Sequence, residues 1–112
     1  MNINQTGFTP DYAEDAPTFE HINGLVGEVI LEFGAPWCRH CQAARPAVEE
    51  VLTEYSELIH IKVYDGKGKR LGRLFRVKLW PTLILLHDGE EVARLVRPTD
   101  VEEVRQLAQY AG

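Results

Sequence analysis

The stretch LEFGAPWCRHC, residues 31–41, joins the end of an apolar run to two cysteines three positions apart. The run Glu28–Phe33 is rich in Val, Ile, Leu and Phe, which predicts a strand buried on both faces. Beyond it, apolar residues recur every three or four positions. This spacing predicts a long helix over about Cys38–Leu58, with a kink at Pro46. The cysteines therefore fall where a buried strand gives way to a helix.

Two thiols at the start of a helix suit disulfide exchange. The free N–H groups and partial positive charge of a helix N-terminus favour a thiolate over a thiol. Cys38 is predicted to be the exposed nucleophile and Cys41, one turn on and more buried, the resolving thiol. Arg39 adds a permanent positive charge between them, and His40, when protonated, adds another and can offer an N–H to the Cys38 sulfur. A more stable thiolate stabilises the reduced form of the protein, so we expect its disulfide form to be a stronger oxidant.

Other interpretations of the two cysteines are weaker. A structural disulfide would close a very short loop and stabilise the fold little. A closed zinc site needs four ligands, and the histidines show no second paired spacing; they are His21, His40, His60 and His87. A cysteine hydrolase would lose its nucleophile to the neighbouring thiol. We therefore expect no metal and no cofactor other than the redox-active pair itself.

Length and charge limit the possible classes of protein. A chain of 112 residues predicts one domain, 1–112, with a partly irregular segment over 1–17. The net charge of −5 argues against a nucleic-acid partner. Nothing approaches the ~20 apolar residues of a membrane span, and no secretory signal pattern is present. We expect a cytoplasmic monomer that does not bind a membrane.

Basic residues are concentrated in one part of the chain. Seven of the twelve Lys and Arg residues fall within residues 62–78. The simplest interpretation is a solvated loop and helix face, and the alternative is a docking surface over Lys67–Lys78 for an acidic partner.

The rest of the pattern alternates strands and helices, which predicts an α/β fold with a mixed sheet. At most one short strand is expected before the first helix. A turn at Asp88-Gly89 predicts a hairpin, and Thr99 with Glu102 predicts a capping box for the last helix. The predicted elements are a helix near Thr18–Asn23, strands at Ile59–Tyr64, Thr82–Leu86 and Glu91–Val96, and a helical segment over Arg70–Val77.

Taken in order, these motifs resemble the thioredoxin family from about Val29 to the C-terminus. The matching features are an acid and Phe at the end of the strand, A-x-W-C-x-x-C over residues 35–41, a mid-helix proline at 46, and Pro81-Thr82. The resemblance implies the thioredoxin fold, a three-layer α/β/α arrangement around a central mixed sheet of four to five strands. It also implies a protein disulfide oxidoreductase, with protein disulfides as substrates and a donor like thioredoxin reductase.

The resemblance implies roles for residues around the cysteines. Pro81 would follow a cis bond opposite the cysteines, and the backbone of Trp80 would pair with an extended substrate segment. Trp37 would shield the nucleophile. Glu32 would be a buried acid that relays a proton to or from the resolving thiol, and Lys62 would face that acid.

Several residues depart from the family pattern, and all lie around the cysteine pair. The residues between the cysteines are Arg-His where thioredoxins have Gly-Pro, and a His just before the second cysteine is similar to protein disulfide isomerases and bacterial oxidases of the same fold. Gly34 replaces a tryptophan, Trp80 replaces a small aliphatic residue, and Arg97 replaces a glycine on the docking surface. These changes favour altered partners. They also leave open a non-catalytic thioredoxin-fold binding module, a co-chaperone or assembly factor that docks through Lys67–Lys78.

Overall fold

Four strands and four helices make up the fold in the computed structural model, which describes residues 6–13 and 15–110. In chain order they are α1 (Phe19–Asn23), β1 (Glu28–Gly34), α2 (Arg39–Glu54), β2 (Ile59–Tyr64), α3 (Arg70–Leu74), β3 (Thr82–His87), β4 (Glu90–Val96) and α4 (Val101–Gln109). No helix within these described ranges is long and apolar enough to cross a membrane.

The sheet forms the middle layer, with the strand order β2-β1-β3-β4. β1 runs parallel to β2 and antiparallel to β3, and β3 and β4 form the predicted hairpin. Because side chains alternate along a strand, Ile30 packs with α2 and α4 while Leu31 and Phe33 pack on the opposite face near α1 and α3. This arrangement confirms the thioredoxin fold with four strands, and it places the end of β1 beneath the start of α2.

Two helices are shorter than the sequence predicts. α2 ends at Glu54 and not at Leu58, because Tyr55 leaves the helical conformation with φ −94° and ψ 59°. α3 ends at Leu74, and Arg76 has φ 58°, in the left-handed region that a helix cannot continue through. Apolar spacing alone did not reveal either backbone turn.

The cap of α4 lies one residue later than predicted. The Asp100 carboxylate, and not Thr99, accepts the backbone N–H of Glu103 at 2.9 Å. The Glu103 carboxylate in turn accepts the backbone N–H of Thr99 at 3.0 Å. The two bonds resemble a capping box with Glu103 in the place expected for Glu102, except that Glu103 binds the N–H of the residue before the N-cap.

Residues 6–13, here called the N-terminal strap, run along the outer edge of β2. The strap is attached by backbone hydrogen bonds from Gly7 N–H to Leu58 O (2.8 Å) and from Ala13 N–H to Lys62 O (2.7 Å). It makes isolated bridges and not a strand, so the described residues contain no fifth strand before α1. Residues 1–5 and 14 of the segment expected to be irregular lie outside the described residues. The strap covers an edge that would otherwise expose unpaired backbone groups.

Candidate active site

The two thiols lie at the first turn of α2, directly after β1. Cys38 is the N-cap, and its Sγ accepts the backbone N–H of Cys41 at 3.3 Å, as a serine hydroxyl would. Both cysteines are free thiols, with exposures of 8% for Cys38 and 4% for Cys41. The expected order of burial is confirmed, but the prediction of an exposed Cys38 is wrong. Packing against Ala35, Tyr64 and Trp80 covers most of the side chain.

Arg39 and His40 occupy the first turn of α2 with exposed side chains. The hydrogen bond to the Cys38 sulfur comes from a backbone N–H and not from the His40 ring. The partial positive charge of the helix N-terminus therefore acts on the Cys38 sulfur directly, through a main-chain N–H donor. Any contribution of Arg39 and His40 acts through their charge from the solvent side.

Two tryptophans flank the cysteine pair. The Trp37 ring is 62% exposed and lies 5.5 Å from the Trp80 ring, nearly perpendicular to it. Trp80 is held by a hydrogen bond from its Nε1 to Asp65 Oδ2 at 2.9 Å, and Trp37 Nε1 donates to the Tyr64 hydroxyl at 3.2 Å. The Asp65 carboxylate reaches this position because Gly72 has no Cβ that would collide with it. The rings form one surface beside Cys38.

The Trp80–Pro81 peptide bond is cis, and Arg97 binds the backbone next to it. Arg97 Nε donates to the Trp80 carbonyl oxygen at 2.8 Å, and its backbone N–H donates to Pro81 O at 2.9 Å. The resemblance assigns the Trp80 backbone to an extended substrate, and the carbonyl of that backbone already accepts a hydrogen bond from a side chain. Arg97 has φ 52°, a conformation in which glycine is strain-free.

Glu32 lies on the face of the sheet covered by α2, and its exposure is 3%. Its Oε1 is 2.8 Å from His60 Nε2, inside the core. The Thr9 backbone N–H donates to His60 Nδ1 at 2.9 Å, so Nδ1 is unprotonated and Nε2 carries the proton. Glu32 therefore accepts a hydrogen bond from a neutral imidazole. Among residues 6–13 and 15–110, no three His, Cys, Asp or Glu side chains are grouped to hold a metal ion.

Lys62 stands opposite Glu32 in the parallel register, as expected, although no ion pair joins the two side chains in the part of the chain that the structure describes. Its Nζ donates to Pro10 O at 3.0 Å and lies 4.2 Å from the centre of the Tyr12 ring. Burial lowers the pKa of Lys62, while the nearby charge of Glu32 opposes that shift. The strap supplies the carbonyl and the ring that draw the ammonium away from the acid.

Two residues of this site, His60 and Tyr12, are not predicted from the sequence. His60 was considered only as a zinc ligand, although a strand period of two places it on the same face as Lys62. Tyr12 reaches the site from the strap, and no local pattern in the sequence indicates that contact.

Comparison with known proteins agrees with this geometry. The family model described as Thioredoxin matches residues 13–110. The reduced form of thioredoxin 2 from Pseudomonas aeruginosa PAO1 is similar to this chain, with 45% identity and a TM-score of 0.84 over 93% of this chain and 96% of that one. Thioredoxin from Chlamydia pneumoniae is 33% identical over 72% of this chain and 79% of that protein. Thioredoxin H7 of Arabidopsis thaliana is 27% identical over 98% of this chain and 88% of that protein.

The matched region contains both thiols, the proline of α2 and the cis bond. The chain belongs to the thioredoxin family and is a thiol–disulfide oxidoreductase of that type.

Proposed function

We propose that the protein exchanges the Cys38–Cys41 dithiol and disulfide with disulfides of protein substrates. The observation that supports this most directly is the Cys38 sulfur at the N-cap of α2, where it accepts a main-chain N–H at 3.3 Å. The Cys38 thiolate attacks one substrate sulfur, the substrate S–S bond breaks, and the leaving sulfur keeps the electron pair. Cys41 then attacks Cys38 in the mixed disulfide and releases the second substrate thiolate.

We propose Glu32 as the group that accepts the proton of Cys41 in the second step. Burial raises the pKa of Cys41 to about 11, so this thiol needs a base near neutral pH. Glu32 lies on the sheet face that α2 covers, and its Oε1 accepts a hydrogen bond from His60 Nε2. Once the substrate has left, the two electrons of the dithiol have passed to it.

We propose that Arg39 and His40 make this couple more oxidising than that of an ordinary thioredoxin. The charge of Arg39, and that of His40 in its protonated form, lies on the turn that Cys38 caps, where it stabilises the thiolate and with it the reduced protein. The argument concerns charge alone, because the hydrogen bond to Cys38 comes from the backbone.

Replacing Arg39 and His40 together by Gly and Pro is expected to lower the reduction potential by about 30 mV, which corresponds to ~1.4 kcal/mol for a two-electron couple. The first helical turn accepts proline, so the helix should persist. A redox titration against glutathione or dithiothreitol measures the change. Arg105→Gln is the matched control, since it removes a positive charge that pairs with Glu54 and Glu102 and not with the thiols. An unchanged or raised potential in the double variant would refute the charge argument.

We propose that substrates dock on the surface formed by Trp37, Trp80, Pro81 and Arg97. The exposed Trp37 ring and the half-buried Trp80 ring, next to a reactive sulfur, suit an unfolded or extended segment. Because Arg97 Nε already donates to the Trp80 carbonyl, a substrate N–H would have to share that oxygen with the guanidinium or displace it. Arg97 would then limit the affinity for extended substrates.

The change Arg97→Gly is expected to lower KM for an oxidised peptide or protein by about threefold to tenfold, the value of one hydrogen bond. The φ of 52° suits glycine, so stability should not fall. Steady-state kinetics with a peptide disulfide measures the effect, and a small aromatic disulfide without a main chain serves as the control substrate. A higher KM for the peptide would mean that Arg97 contributes to substrate binding and does not compete with the substrate for the Trp80 carbonyl.

We propose a dithiol-specific reductase, of the thioredoxin-reductase class, as the electron donor in a cytoplasmic, reducing setting. The exposed basic residues of Lys67–Lys78 adjoin Leu79 and Trp80 and would serve as its docking surface. Alkylation trapping of the thiols in cells tests whether the protein reduces or oxidises its substrates, since a protein that acts as a reductase is kept in the dithiol form. A predominantly oxidised pool would assign it to net oxidation.

A further inference from the structure

The Tyr12 hydroxyl and the Cys41 sulfur meet over Gly34, at the end of β1. A Cβ on Gly34 would lie 2.7 Å from Cys41 Sγ and 2.8 Å from the Tyr12 oxygen. Both distances are shorter than real Cβ contacts, so only glycine allows the hydroxyl and the sulfur to occupy this space together. The tryptophan that the family pattern expects at this position would displace Tyr12.

The strap holds Tyr12 in this place from both sides. The next residue, Ala13, is bonded to β2 through Lys62 O at 2.7 Å and Tyr64 N–H at 3.2 Å. Lys62 Nζ lies over the Tyr12 ring at 4.2 Å and is tied to Pro10 O. The ring is therefore fixed by the main chain of the strap and by a cation on its face, and its hydroxyl is directed at the cysteine pair.

We propose that the Tyr12 hydroxyl is a catalytic hydrogen-bond donor that stabilises the Cys41 thiolate while it attacks the mixed disulfide. This inference rests on the proposed function, in which Cys41 is the resolving thiol. Tyr12 keeps its own proton throughout. The proton of Cys41 goes to Glu32, a bond forms between the two cysteine sulfurs, and the substrate sulfur leaves with the electron pair of the broken bond.

Protonation equilibria support this division of roles. Burial raises the pKa of Tyr12, and the charge of Glu32 raises it further, so the hydroxyl stays a donor. Burial raises the pKa of Cys41, whereas the neighbouring Tyr12 hydroxyl acts in the opposite direction. Tyr12, Cys41 and Lys62 also line a cavity of about 270 Å³, so the buried sulfur has polar neighbours on the side of the strap. Hydrogen bonds to charged atoms are stronger than those between neutral groups.

The test separates the two steps of one turnover. The reduced protein is mixed with 5,5′-dithiobis(2-nitrobenzoate), which releases one coloured thiolate when Cys38 attacks and a second when Cys41 resolves the adduct. In Tyr12→Phe the first release should be unchanged, and the second should slow about tenfold, the effect of one hydrogen bond to a charged atom. The matched control is Tyr55→Phe, which removes a hydroxyl at the far end of α2.

A second readout follows the thiol itself. With Cys38→Ser as background, the alkylation rate of Cys41 against pH should have its midpoint about one pH unit higher when Tyr12 is Phe. A purely structural role for Tyr12 would leave this midpoint in place. The proposal is overturned if Tyr12→Phe leaves both the rate of the second thiolate release and the pH midpoint of Cys41 alkylation unchanged. If the unmodified protein shows no first thiolate release, the proposed function is overturned instead.

Discussion

In Cys38→Ser, reduction of insulin by dithiothreitol should fall at least about 10³-fold, to the uncatalysed rate, because a hydroxyl cannot replace the thiolate nucleophile. The fold should persist, since serine is a preferred N-cap and its hydroxyl can accept the Cys41 N–H that the sulfur accepts now. The rate of insulin precipitation measures the activity. Thermal unfolding of the same sample shows that the loss is chemical and not structural.

The matched comparison is Cys41→Ser, which keeps the nucleophile and removes the resolving thiol. This variant should form a mixed disulfide with the substrate that is not resolved, whereas Cys38→Ser should not attack the substrate disulfide at all. Retained turnover in Cys38→Ser would show that Cys41 starts the reaction, contrary to the order that burial and the N-cap position indicate.

The second large effect is expected from Glu32→Gln. Removal of a general base costs about 10²- to 10⁴-fold in the step that it serves, so release of the second thiol should slow by at least about 10² at pH 7. The attack by Cys38 should proceed as before. Glutamine keeps an oxygen that can accept from His60 Nε2, so the buried contact and the fold should survive.

The loss of activity in Glu32→Gln should depend on pH. Burial raises the pKa of Cys41 to about 11, so its thiolate fraction grows as the pH rises toward that value. Without the base, the rate of the second step should therefore rise with pH and approach that of the unmodified protein in alkaline solution. Glu49→Gln, on the exposed face of α2, is the control. An equal rate for Glu32→Gln and the unmodified protein at pH 7 would remove Glu32 from the mechanism.

Much of the fold follows from local patterns. The bounds of β2 are those predicted, and β1 and β3 each extend one residue beyond the prediction, because apolar runs between turn residues carry a strong strand signal. The ends of the helices are less well predicted. They depend on single backbone conformations, such as φ 58° at Arg76, that residue type alone does not determine.

The thiols could be located from the sequence, whereas the surroundings of the buried acid could not. Cys38 and Cys41 form a local motif. The partner of Glu32 is His60, 28 positions away, and the strap brings in the groups that hold Lys62 and His60. Contacts of this kind depend on how the strap lies against β2.

The departures from the family pattern have physical explanations in the structure. Gly34 admits the Tyr12 hydroxyl next to Cys41, Trp80 is anchored by Asp65, and Arg97 covers the carbonyl beside the cis bond. Each replacement changes a group close to the sulfurs or to the backbone next to them. They are adjustments of an exchange site, which agrees with the family's enzymatic role and not with a non-catalytic module.

The most direct test of the central claim is mass spectrometry of the two single-cysteine variants after mixing with a peptide disulfide. The order of attack proposed above predicts a stable mixed disulfide on Cys38 in Cys41→Ser, formed at the rate of the first step in the unmodified protein. It predicts a far slower adduct on Cys41 in Cys38→Ser, because that thiol is almost fully buried and its pKa is raised to about 11. Equal or faster formation of the adduct on Cys41 would contradict the assignment of Cys38 as the nucleophile.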